Sequence, residues 1–159
     1  EIHGVSQQSY GWIFGLIATG LITASQFNNL ILKKHKSEKI LRTVITIQVI
    51  LGIIMWMGAW FHVFNLYGLI GIMMLFLSCQ GFIFPNAAAM AMAPFTRHAG
   101  SAAALMGAIQ MALGAFASAL VGIFFNATSM PMVTIMLTFC MTGFTLLVIG
   151  QAKLKKEQP

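Results

Sequence analysis

Three long stretches of the chain carry no charged side chain: residues 2–32, 43–96 and 98–152. Apolar residues run through them without the every-other alternation of a half-buried strand. A helix needs about 20 predominantly apolar residues to cross a bilayer. The first stretch holds one such helix, and the other two are each long enough for a pair joined by a short turn. The pattern therefore predicts spans over about 8–32, 40–61, 66–93, 99–125 and 130–150. Lipid offers the backbone no hydrogen-bond partner, so spans must be helices or closed barrel strands. Unalternating runs of this length are helices. The predicted fold is all-α and integral to the membrane, five transmembrane helices in a single domain over residues 1–159.

Composition agrees with that pattern. Only 8% of the residues are charged and 58% are apolar, where a soluble domain carries about 25% charged residues. All nine basic residues fall at one end of the predicted bundle: Lys33, Lys34, Lys36, Lys39 and Arg42 after the first span, Arg97 after the third, and Lys153, Lys155 and Lys156 after the fifth. The opposite end, with the N-terminus, "HVFNLYG" and "NATSMP", has none. The positive-inside rule places the basic end in the cytoplasm and the N-terminus outside. Tyr10, Trp12, Trp56, Trp60 and Tyr67 all lie toward the predicted outer interface, as an aromatic belt requires. The net charge of +6 is thus a topology signal rather than a nucleic-acid footprint. An N-terminus outside and an odd number of spans read as the C-terminal piece of a larger membrane protein.

Small residues let helix backbones approach in lipid. Gly11, Gly15, Thr19 and Thr23 stand four apart on the first span, and Ala103, Gly107, Gly114 and Ser118 share a face of the fourth. These two helices are expected to be the tightly packed ones, with the bulkier second and fifth facing lipid. The Gly11–Thr23 stripe meets either a further helix or another of these five. Amides inside a membrane need a partner or a wet cavity. Gln26, Asn28, Asn29, Gln48, Gln80, Asn86 and Gln110 are of this kind. Each serves either as interhelical glue or as a ligand group; Gln80 and Gln110 lie nearest the midplane, where transporters bind substrate. The candidate substrate cavity is accordingly Gln80, Gln110, Thr19, Thr23 and Phe76, and the packing positions are Gly11, Gly15, Gly107, Gly114 and Ser118.

No carboxylate lies inside a span, and His3, His35, His62 and His98 all fall at interfaces. Cys79 and Cys140 lie within spans and read as small apolar residues. There is no nucleophile–base set, no metal-ligand spacing and no phosphate-cradling loop. The reading is not an enzyme, with no metal and no cofactor. Asn126-Ala127-Thr128 matches the glycosylation acceptor pattern in a loop too short against the membrane to carry weight.

The segment "GFIFPNAAAMAMAPFTRHAG" places Pro85 inside the third span. A proline there removes one backbone hydrogen bond and costs about 3 kcal/mol in a water-exposed helix, whereas a bundle can re-satisfy the freed carbonyl. A kink at Pro85 and Asn86 is expected, with Asn86 supplying part of the missing hydrogen bonding.

From Phe84-Pro85-Asn86-Ala87 through Pro94, Ala99-Gly100-Ser101-Ala102, Leu105, Gly107, Gln110 and Gly114-Ala115, the chain resembles the Bcr/CflA group of drug/proton antiporters in the major facilitator superfamily. "GVSQQSYGWIF" is similar to that group's entry into its eighth helix. The resemblance implies the end of helix seven followed by helices eight to twelve, most of the C-terminal half of such a transporter. It implies a bacterial inner-membrane location and export of small amphipathic compounds or drugs in exchange for protons by alternating access. The implied partners are the bilayer, the N-terminal half with its proton-coupling acid, and the substrates. No cofactor beyond the proton gradient is implied. "LKKHKSEKILR" would be the basic cytoplasmic loop motif, here without Asp or glycine. Two other readings stay open: a transporter of the same fold for a sugar, siderophore or metabolite, and a non-transporting membrane fragment or assembly subunit.

Overall fold

A computed structural model describes residues 7–61, 63–125 and 128–157. Glu1, His3, His62 and the Asn126-Ala127 part of the acceptor pattern lie outside the described residues. The described chain forms five helices: α1 (Gln7–Leu32), α2 (Ser37–Trp60), α3 (Leu66–Met92), α4 (Ala99–Ile123) and α5 (Met130–Glu157). All five are long and apolar enough to cross a membrane, so the chain is a multi-pass membrane protein. α5 runs beyond its apolar stretch into the basic tail. That extension follows from polar residues of good helix propensity, which need no lipid to stay helical.

The turns between helices are short. Asn65 caps α3, its side chain accepting from the Gly68 N–H at 2.9 Å, which satisfies one of the free donors at a helix start. α3 ends at Met92, and Pro94 follows just after the C-terminal cap at Ala93, where a proline cannot continue the helix. Arg97 is exposed in the turn to α4. Helix α3 continues unbroken through Pro85.

The centre of the fold is α3, which packs on α1 at one side and on α2 at the other, while α2 also packs on α5. The α1–α3 contact is close because of particular small residues. A Cβ on Gly81 would stand 2.5 Å from the Leu21 carbonyl oxygen and 2.9 Å from Ala24 Cβ, and one on Gly20 would meet Ser78 Oγ at 2.7 Å. On the other side, Gly52 faces Leu137 and Phe76, and Gly58 lies under the Phe64 ring. Met55, Phe76, Val133 and Cys140 form the buried cluster where α2, α3 and α5 meet. Toward the end that carries no basic residue, Trp56 stacks on Trp60 at 5.5 Å and donates to Thr134 Oγ1 at 3.1 Å.

This arrangement reverses the expected ranking of the helices. α2, expected to face lipid, holds seven buried residues, and α4, expected to be tightly packed, holds none. Gly11, Gly15, Gly107 and Gly114 have nothing within 4 Å of where a Cβ would sit. Their assigned packing role is therefore not realised among the described residues. Small residues permit a close approach but do not choose the partner. The approach made by α1 runs along Gly20 and Ala24, one stripe round from Gly11 and Gly15.

Candidate functional site

Gln48 stands midway along α2, in a stretch otherwise apolar. It is 3% exposed, so its amide must find partners in protein. Its Nε2 donates to the Phe76 carbonyl of α3 at 3.4 Å, and its Oε1 accepts from the Cys140 thiol of α5 at 3.6 Å. One side chain thus ties three helices together. It also forms part of the wall of a cavity of about 480 Å³ between α2, α3, α4 and α5. Phe76 and Gln80 face it from α3, Gly114 and Ser118 from α4, and Phe139 and Cys140 from α5. Ligand pockets commonly run from about 300 to 1,000 Å³ with apolar walls and a few placed polar groups. The walls here carry no charged side chain. The cavity can therefore take a small, mostly apolar ligand that offers an acceptor or donor to an amide.

Four of the predicted positions come together in this cavity: Gln80, Phe76, Gly114 and Ser118. Gln110 does not join them. It is exposed at a separate hollow of about 280 Å³ between the end of α3 and α4, beside Met92, Phe95 and Met106. Thr19 and Thr23 are exposed on α1 and line neither hollow. The Thr19 hydroxyl donates to the Gly15 carbonyl one turn back at 2.8 Å, which satisfies it within its own helix. Gln48, read from the sequence as glue or a ligand group, and Cys140, read as a small apolar residue, line the cavity without having been among its candidates. A lone amide in an apolar run is the same signal that marked Gln80; what raises Gln48 above the rest is the place of α2 against both α3 and α5, which is a tertiary fact.

A second buried polar contact lies between α1 and α3. Asn86 is 1% exposed and Asn28 0%. Asn86 Nδ2 donates to Asn28 Oδ1 at 2.6 Å and to the Phe82 carbonyl at 2.7 Å. Pro85 has no N–H to offer the Gly81 carbonyl, four residues back, and Asn86 binds the neighbouring carbonyl. The amide thus supports the helix just where the proline weakens it, and links it to α1. Asn28 Nδ2 and Asn86 Oδ1 remain without a partner.

Cys79 and Cys140 are buried free thiols, and among the described residues no group of three His, Cys, Asp or Glu side chains is placed to hold a metal ion. His35 and His98 are exposed. No family model, curated protein or solved structure matches the chain.

Proposed function

We propose that the chain is the membrane-embedded part of a secondary transporter that exports small amphipathic compounds in exchange for protons. The observation that carries this reading is the uncharged, open-sided cavity bordered by four helices, with Gln48 and Gln80 on its walls. A site of that kind near the middle of the spans is where secondary transporters bind. The resemblance of residues 84–118 to drug/proton antiporters supports the same substrate class. The basic end lies in the cytoplasm of a bacterial inner membrane. The bare small-residue faces of α1 and α4 take further helices, which bring the carboxylate that proton coupling needs.

The test is export from a pump-deficient strain carrying the complete gene. Efflux of an amphipathic dye should stop when a protonophore collapses the gradient, and Gln80→Leu should change which compounds are exported while leaving the amount of protein unchanged. Dye export insensitive to the protonophore, or no export of any amphipathic compound, would overturn the reading. The absence of buried residues on α4 favours a second reading, a subunit that assembles with other membrane helices without transporting. Cross-linking of α4 to a second protein in a strain that shows no export would support it.

A further inference from the structure

We propose that the groove between α1, α2 and α3 at the basic end holds an anionic phospholipid. One acyl chain lies along α2 and α3, and the phosphate sits against Lys39 and His35. The groove encloses about 660 Å³. Its floor is apolar, with Ile47, Leu51, Leu75 and Phe82. Its mouth carries Lys39 and His35, both exposed, with Thr43 just below. Neither of the other two cavities has a basic residue on its wall.

The groove follows from how the chain turns. α1 ends at Leu32 and α2 begins at Ser37, so a short turn joins them at the basic surface, and beyond it each packs chiefly on α3 rather than on the other. Below that turn α3 forms the floor between them. From Lys39 to Leu51 the groove runs about 18 Å at 1.5 Å per helical residue. Half of a bilayer's hydrocarbon core is roughly 15 Å. A single acyl chain entering from the basic surface therefore spans the groove from mouth to end.

Charge selects the headgroup. Lys33, Lys34, Lys36, Lys39 and Arg42 crowd the turn with Glu38 as the one acid among them, and among the described residues no carboxylate pairs with Lys39 or His35. Basic pockets between transmembrane helices recognise anionic headgroups in this way. A zwitterionic lipid would fill the same apolar floor but bring its own cation against the lysines.

Native mass spectrometry of the purified protein, given equal amounts of phosphatidylglycerol and phosphatidylcholine with matched chains, tests the proposal. Phosphatidylglycerol adducts should exceed phosphatidylcholine adducts several-fold. The Lys39→Gln variant should lose most of that preference, and adding His35→Gln should bring the two lipids level. Lys153→Gln, at the same end but outside the groove, should keep the preference of the parent. Ile47→Trp, which fills the floor, should reduce retention of both lipids. Equal retention by the parent would overturn the proposal, as would a preference that falls as far in Lys153→Gln as in Lys39→Gln. Circular dichroism shows whether each variant keeps the helical content of the parent. Should the double variant lose it, Lys39→Gln alone decides.

Discussion

α2 and α4 are alike in length and apolar content, and both carry glycines and a single mid-span glutamine. Yet 33% of the apolar window of α2 is buried and none of that of α4. The glycines of α2 face Leu137, Phe76 and Phe64, whereas those of α4 face open space. Gln48 bonds to two neighbouring helices, whereas Gln110 is exposed beside a small hollow. The same residue types thus act as a wedge and a tie in one helix and as a bare surface in the other. Small and amide residues mark a capacity to pack, and a partner must be in place for that capacity to be used.

Substitutions at matched positions test this difference, and the largest effect is expected at a packed glycine. In Gly81→Val the new Cβ would stand 2.5 Å from the Leu21 carbonyl oxygen and 2.9 Å from the Ser25 backbone nitrogen. Backbone atoms cannot turn aside, so α1 and α3 must separate, at about 3 kcal/mol on the scale of overpacked cores. Gly107→Val on α4, with nothing within 4 Å, should leave thermal unfolding of the five-helix chain by itself in detergent unchanged. An equal loss in both variants would show that α4 packs within the five-helix chain after all.

A smaller effect is expected from the glutamines. Gln48→Leu leaves the Phe76 carbonyl and the Cys140 thiol without this partner, worth about 1 kcal/mol for a polar tie between membrane helices. Gln110→Leu, at an exposed position outside the four-helix cavity, should not lower the unfolding temperature. A stability loss at Gln110 matching that at Gln48 would break the comparison. The smallest effect is expected at the end away from the basic residues. Trp56→Phe keeps the aromatic ring but loses the bond to Thr134, a change of about 0.5 kcal/mol that should appear as a slight fall in unfolding temperature.

Much of the fold was legible in the sequence because it rests on local properties. Charge-free runs predict the spans, and the nine basic residues identify one end of the bundle. Pro94 and Arg97 mark the turn into α4. The candidate site was legible in part. Gln80 was placed by its depth in α3 and lines the cavity, as does the candidate Phe76; Gln110, placed by the same depth argument, lies at another hollow. Gln48 was recognised as an amide in need of a partner, but nothing local distinguishes it from Gln110. Likewise Asn86 was read as support for the helix at Pro85, and its bond to Phe82 is within reach of sequence reasoning. Its bond to Asn28, 58 residues away along the chain, is not.

By itself, then, the sequence determines five apolar helices, their approximate ends and the basic surface they share. Those features depend on how each segment meets lipid or water, and that is decided residue by residue. Only the tertiary structure decides that α3 is central, that α2 is buried while α4 is bare, and that Gln48, Gln80 and Cys140 share one cavity. In lipid every one of these helices has an apolar surface that the solvent accepts equally well. Which faces meet is therefore set by shape and by a few polar partners lying far apart in the chain.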